Sequence, residues 1–387
     1  MPSSSIKPRY VALDSSHLGN WVRDHNSPNR EARQTASRFE HWLEASGWVP
    51  LICWHHVAEL LQIEDRGVAA ERVRFLGART ALAWISDLYS GQIMGGVIDI
   101  HAAEARVAVD LPGASIAQVR QEVTRQLIRF GSGKDLFGPV PDEWLMFQSL
   151  FQADADQVRK LVAITRSDVL GFDDLQMKDV FKAGLRRGPE LERRIELMTG
   201  SLAIDIKLRG DRKLSDPHGL ATEFMESVRQ GAPAELENSK EFAIRLLASQ
   251  GITEAEIDLE AHWSDMSRLG LFRSQLMSVA ELTGFEGQEL VRQVQMEQLP
   301  SWTILDALRR FSQAPSERKG SELSDAHLAC LSPYVDLTMV DKRTKENLRR
   351  AESKVPELLR IMGRVEKAAD YFDVPGLIDA EADREPA

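Results

Sequence analysis

Tyr10-Val-Ala-Leu-Asp-Ser-Ser-His-Leu18 and, near the other end of the chain, Tyr334-Val-Asp-Leu-Thr-Met-Val-Asp341 share one pattern: a short apolar run that stops at an aspartate. An apolar run of this length with β-branched residues reads as a buried strand. In an open α/β sheet the ligand crevice lies beyond the carboxyl ends of the strands. Two strands that each deliver a carboxylate, Asp14 and Asp341, to that edge would concentrate negative charge there. Carboxylates that repel one another persist most readily where a hard cation neutralises them.

Two further acids stand in related contexts. Glu59, in His56-Val-Ala-Glu-Leu60, follows the strand-like Trp48-Val-Pro-Leu-Ile-Cys-Trp54, and Asp325 opens Ser324-Asp-Ala-His-Leu-Ala329. The order strand–Asp14, strand–helix–Glu59, Asp325–helix, strand–Asp341 resembles the PIN-like nucleases. That family begins with a strand, then Asp followed by Ser or Thr, as in Leu13-Asp14-Ser15-Ser16. Its second acid lies early in a helix after the second strand. Its third opens a helix similar to Asp325-Ala-His-Leu-Ala329, and its fourth follows the next strand, as Asp341 does. The resemblance covers the two ends of the chain, and residues 60–324 separate the second acid from the third, a far longer interval than one small domain requires.

The resemblance implies a PIN-like α/β/α sandwich with a central, mostly parallel sheet, split by a large all-α insertion. The expected boundaries are residues 1–114 and 314–375 for the two parts of the PIN-like domain, 115–313 for the helical insertion and 376–387 for an acidic flexible tail. From about Ser115 to Ser312 the pattern is nearly all helical, broken by Gly and Pro, with Thr253-Glu-Ala-Glu256 as a capping box at a helix start. Long crossovers allow sequence-distant strands to be neighbours in a parallel sheet.

The resemblance further implies a metal-dependent endonuclease, most often cutting single-stranded RNA, in the setting of a toxin, an RNA-processing enzyme or a defence effector. Oxygen-only donors select Mg²⁺ or Mn²⁺ over zinc. Asp14, Glu59, Asp325 and Asp341 would be the catalytic, metal-binding set, with Ser16 as a hydrogen-bond partner behind them and Asp336 as a competitor for that supporting role. Lys342, Arg343, Lys345, Arg349 and Arg350 begin immediately after Asp341 and would hold phosphates beside the metals. Arg186-Arg187 with Arg193-Arg194, and Lys207, Arg209, Arg212 and Lys213, form two more basic clusters, interleaved with acids. The competing reading is a non-catalytic scaffold whose helical region binds a protein partner.

Each acid also has a plain structural reading. An Asp after a strand caps helices and turns, and Glu59 could be solvated. His55-His56 does not suit zinc, because adjacent histidines of a helix face different ways.

Bulk properties bound these readings. The chain of 387 residues carries 48 Lys plus Arg against 59 Asp plus Glu, a net charge of −11, with 43% hydrophobic residues. The apolar content suffices for a core. The acidic balance does not favour generic nucleic-acid affinity, so binding would need a local basic patch. Cys53 and Cys330, the two cysteines, both in apolar surroundings, argue against a disulfide framework and for a reducing compartment. The start, Met1-Pro-Ser-Ser-Ser-Ile-Lys-Pro8, lacks the apolar core of a signal peptide, and no stretch is long enough for a membrane span, so a cytoplasmic protein is expected.

Overall fold

The computed structural model describes residues 8–165, 173–182, 189–231, 239–313 and 317–382. Two compact units divide the chain: one runs through Asp154, resumes at Val279–Gln313 and continues from Ser324, and the other comprises Ala155–Ser278 and Ala314–Leu323. The first unit therefore takes in residues 115–154 and 279–313, which the helical pattern had assigned to the insertion. Those segments pack with the sheet. Val119, Val123 and Leu127, and Ile304, Ala307 and Leu308, share one core with Val49, Ile85 and Val340.

The first unit is α/β. Six strands, β1 (Arg9–Leu13), β2 (Trp48–Ile52), β3 (Leu82–Ile85), β4 (Ile128–Gly131), β5 (Leu337–Val340) and β6 (Arg364–Lys367), form one sheet in the order β4-β3-β2-β1-β5-β6. All neighbours are parallel except β3 and β4. β1, β2 and β5 are the expected strands. The β2–β3 ladder begins at Leu51, one residue past Pro50, which lets a residue with no amide hydrogen sit in a central strand.

Three strands depart from the expected elements. β3 is four residues buried throughout, so it has no alternation to mark it as a strand. Ile128 and Phe130 of β4 prolong the apolar spacing of the helix before them. β6 reads Arg-Val-Glu-Lys with only Val365 buried, too little apolar signal for a strand.

Helices α1 (Ser15–His25), α2 (Arg30–Ser46), α3 (Trp54–Leu61), α4 (Arg66–Gly77), α5 (Val97–Asp110) and α6 (Ile116–Leu127) connect the first strands. Trp21 anchors α1, 2% exposed, with ring centroids 5.0 Å from Phe39 and 4.9 Å from Phe75, both edge-on. Gly47 ends α2 in the left-handed conformation, φ +69°, which glycine alone adopts without cost. Helix α5 starts at Val97. The Asp99 carboxylate accepts from the amides of Gly96, 2.8 Å, and Leu88, 2.9 Å, and so fixes the helix start.

The second unit is helical among its described residues. Met177, Val180, Ala243, Leu247, Ile252, Trp263 and Met266 form one of its cores, and Ala163, Leu202, Ile206, Leu220 and Ala221 another. The capping box at Thr253 is present, its amide 2.9 Å and its hydroxyl 2.8 Å from the Glu256 carboxylate. It opens a single turn, Glu254–Glu256, while the long helix begins at Trp263. Arg186 and Arg187 lie outside the described residues. The start of the tail is helical to Ala382, and the remainder, residues 383–387, also lies outside them. No helix among the described residues is long and apolar enough to cross a membrane.

Candidate acidic active site

The sheet order fixes where chemistry can sit. From β1 the chain steps outward to β2 and β3 on one side and returns to β5 and β6 on the other. β1 and β5 thus flank a topological switch point, the position at which open sheets leave a crevice at their carboxyl ends. Leu13 is in register with Met339, and the Asp14 amide continues the ladder to the Met339 carbonyl at 3.1 Å. Asp14 and Asp341, each one residue past its strand, therefore emerge side by side at that edge.

Each also caps the helix that follows. An Asp14 oxygen, Oδ1, accepts from the Ser16 amide at 2.7 Å, and Asp341 Oδ1 from the Thr344 amide at 2.6 Å. The capping and ligand readings of these aspartates are thus compatible, because capping occupies one oxygen of each. Ser16 contributes its backbone amide to Asp14, not the side chain.

Glu59 comes from α3 and Asp325 from the helix Ser321–Ala329. That helix starts four residues before Asp325, so the acid lies in its second turn rather than at its opening. Asp14, Glu59, Ser15, Ser324 and Asp325 line a single narrow cleft with Cys53, His55, His56 and Leu328. Its interior is about 10 Å³, room for about one water-sized sphere. Burial raises the pKa of Glu59 from its ordinary value, with hydrogen bonds from the Ser15 and Ser324 side chains opposing and the Asp14 charge adding to it. Asp325 is pushed up to about 7 by burial and then by the charges of Asp14 and Asp341, against the pull of Arg343. The last pair of causes ties Asp341 electrostatically to the cluster although it does not line the cleft.

Asp336 belongs elsewhere. It precedes β5, at the opposite end of the strand from Asp341, where its carboxylate accepts from the Tyr10 amide at 2.7 Å and its amide donates to the Tyr10 carbonyl at 3.0 Å. It staples the amino ends of β1 and β5 and has no supporting role at the acidic cleft. Strand geometry separates the two ends of a four-residue strand by roughly 13 Å.

The histidines explain how α3 is held. The Cys53 amide donates to His56 Nδ1 at 3.1 Å, so the proton is on Nε2, which donates to the Leu13 carbonyl at 2.9 Å. Burial holds His56 at a pKa of about 4, and the neutral ring bridges the end of β2 to the end of β1. His55 packs its ring 4.2 Å from that of His327, and burial likewise lowers its pKa to about 4. Cys53, buried, has its thiol pushed up to about 12 by desolvation, so it is no thiolate. Ser15, Ser324, His55 and Cys53 were not among the sequence candidates. Ser15 and Ser324 directly adjoin candidate aspartates, a signal that was present in the chain. The two histidines gave no spacing that distinguished a hinge to a strand end from an ordinary core pair.

The basic run after Asp341 is largely engaged. Arg343 pairs with Asp325 at 2.9 Å, Lys345 with the Val365 carbonyl and, at 3.8 Å, Glu366, and Arg349 and Arg350 with Glu346 at 3.0 and 3.1 Å. Lys342 is exposed at the first position of its helix. Surface pairs such as those with Glu346 contribute little and exchange readily for phosphate.

The donor set suits a hard divalent cation: four carboxylates and serine hydroxyls, with no thiolate and neutral imidazoles. As the side chains stand, however, no three His, Cys, Asp or Glu residues among those described are grouped to hold an ion. Each carboxylate is instead turned to a protein donor: amides for Asp14 and Asp341, hydroxyls for Glu59, and a guanidinium for Asp325. Comparisons with protein family models, with curated proteins and with solved structures find no match to this chain.

Proposed function

We propose that the first unit is a PIN-like, Mg²⁺- or Mn²⁺-dependent endonuclease that hydrolyses phosphodiester bonds in single-stranded RNA. The observation that carries this reading is the convergence of Asp14, Glu59, Asp325 and Asp341 at the switch point of a mostly parallel sheet. Burial first, and then the charges of Asp14 and Asp341, raise the pKa of Asp325, and a cation at the cluster would relieve that repulsion.

In this reading Asp14 and Asp341 would hold the cation directly, and Glu59 and Asp325 would complete the site or orient water at the cleft. A bound divalent ion supplies a water of lowered pKa and shields the charge developing on the scissile phosphate. The chain's own residues do the positioning. Ser15 and Ser324 aim Glu59, His56 fixes α3 to the end of β1, and the two caps lock Asp14 and Asp341 to rigid helix starts. Lys342, with Arg349 and Arg350 as they exchange partners, gives the phosphate backbone its cations. RNA as the substrate follows from the family resemblance, and the second unit would select the substrate or a partner.

Labelled single-stranded RNA and DNA incubated with Mn²⁺, Mg²⁺ or EDTA test this. Cleavage that EDTA abolishes, and that falls at least about a hundredfold in Asp14→Asn and Asp341→Asn, is expected. Asparagine caps helices as well as aspartate does, so both variants should melt within a few degrees of the parent chain. Undiminished cutting by either folded variant would remove that carboxylate from the chemistry.

The second reading is a non-catalytic scaffold. It is favoured by the lack of a ready-made metal group among the described residues, and absence of cleavage of either nucleic acid under every condition would support it.

A further inference from the structure

We propose that the hollow between α5, α6 and β4 is a nucleotide-binding site, which holds the phosphate of a nucleotide, free or within a single strand, through Arg106, Arg125 and Arg129. The hollow lies in the first unit, apart from the acidic cleft, and needs no metal ion.

The hollow measures about 550 Å³, within the range of small-molecule sites. Leu88, Val107 and Leu111 give it an apolar side and the three arginines a basic one. Asp110 and Glu122 also line it, so three positive charges face two negative ones in a chain whose overall balance is −11. Two of the arginines stand in exchangeable pairs. Arg106 is 3.6 Å from Asp110 and Arg125 2.8 Å from Glu122, with the two arginine side chains 45% and 72% exposed. Such pairs contribute little to stability and yield to a doubly charged phosphate. Arg129 has no carboxylate partner among the described residues; its guanidinium donates to the Ile128 carbonyl at 3.3 Å. Gln126, also in the lining, has a buried amide oxygen with no donor among the described residues, a polar group that the fold alone leaves unmet.

The topology sets this hollow at the carboxyl edge of the sheet. β4 pairs antiparallel with β3, Ile128 opposite Ile85 and Arg129 opposite Trp84, so both residues stand beside the end of β3. β3 runs parallel to β2, and β2 to β1, so this is the edge at which Asp14 emerges. The loop after β3 is tied by Asp87, whose carboxylate accepts from the amides of Ser90, Gln92 and Ile93 at 2.5, 3.1 and 2.8 Å. A Cβ at Gly91 would lie 3.2 Å from Arg129 Nη2, so the guanidinium rests against the loop backbone. Between Leu88 and Gly91, Tyr89 leaves its ring to solvent, 85% exposed. An exposed ring on a tied loop, beside guanidiniums, suits a ligand whose base stacks while its phosphate is held by charge. Inorganic phosphate would fill little of the hollow and leave the ring unused.

Titration calorimetry of the full chain in EDTA tests this with purine and pyrimidine nucleoside 5′-monophosphates, short single-stranded RNA and DNA, and adenosine. Phosphorylated probes are expected to bind and adenosine to bind far more weakly. Arg129→Gln and Arg125→Gln should each weaken binding about tenfold, and Tyr89→Ala about fivefold or more. Glu122→Gln, which releases Arg125, should strengthen it. Arg229→Gln, which removes an exposed arginine of the second unit paired with Glu226, should leave it unchanged. Tighter binding of a monophosphate than of a strand assigns the free nucleotide as the source. The reverse assigns a strand, and the site then extends the substrate path of the proposed nuclease. No binding by any phosphorylated probe overturns the proposal. So does binding that both folded arginine variants retain in full, or adenosine bound as tightly as its monophosphate. Tyr89→Ala without effect overturns the nucleotide assignment. If Arg129→Gln fails to fold, Arg125→Gln, at an exposed position, decides by the same criterion. Since EDTA withholds any metal, failure here leaves the nuclease reading to its own cleavage test.

Discussion

At the scale of single residues, the site depends on polar groups buried with definite partners. Glu104 on α5 shows how strongly burial acts. It is 0% exposed and accepts from the Ser301 amide at 2.9 Å, from the Ser301 hydroxyl at 2.6 Å and from the Tyr334 hydroxyl. It thereby caps the helix Pro300–Phe311, whose own N-cap residue, Leu299, offers no side-chain acceptor. Burial nevertheless outweighs these bonds and lifts the carboxyl from 4.5 to about 7. A raised acid keeps its proton in the fold at pH values where the unfolded chain has lost it. The carboxylate therefore lowers stability progressively as pH rises from 4.5 to about 7, and contributes no such loss below 4.5. Wild type should lose on the order of 2 kcal/mol across that window from this group, a loss that Glu104→Gln removes. Urea unfolding of both proteins at pH 5 and pH 7.5 measures the difference in slope. Parallel profiles would show that Glu104 titrates as it does in water.

At the scale of elements, the cleft is positioned by how strand ends are tied to helix starts. The loop after β3 folds back so that Gly95 donates to the Ile85 carbonyl at 2.8 Å and its carbonyl accepts from the first amide of α3, that of Trp54, at 2.9 Å. A Cβ at Gly95 would lie 2.5 Å from the Ser86 carbonyl oxygen and 2.8 Å from the Asp87 nitrogen, both backbone atoms that cannot swing aside. Gly95→Ala should therefore cost about 2 kcal/mol or more and loosen the start of α3, the helix that carries Glu59. Denaturant melts give the first effect, and amide exchange at residues 54–61 the second. An unchanged midpoint would mean that the loop yields freely. Legibility in the sequence followed the same lines. β1, β2 and β5 could be read because each is an apolar run with a polar stop, and Asp14 and Asp341 could be read because they are those stops. β3, β4 and β6 could not, because their strand character comes from pairing with neighbours and not from any local pattern. Asp336 was a competitor for a supporting role until the direction of β5 put it at the opposite edge of the sheet from Asp341.

At the scale of the whole molecule, one sheet is assembled from both ends of the chain. β1 pairs with β2 after a short excursion and with β5 after more than three hundred residues, Val11 opposite Leu337. The order of the four acids along the chain anticipated that closure, since Asp341 has no reason to resemble Asp14 unless their strands share an edge. The placement of residues 115–154 and 279–313 with the sheet was not legible, because a helix that covers a sheet and a helix that packs on other helices carry the same amphipathic period. An acidic chain with a net charge of −11 that nonetheless lines one cleft with Asp14, Glu59 and Asp325, and sets Asp341 near enough to act on Asp325, intensifies its own repulsion there. A cation is the simplest compensation. Anomalous scattering from crystals soaked in Mn²⁺ and recorded at the manganese edge locates such a cation without reference to any activity. A peak beside Asp14 and Asp341 is the expected result. A featureless cleft at millimolar Mn²⁺ would contradict the metal centre on which the proposed nuclease depends.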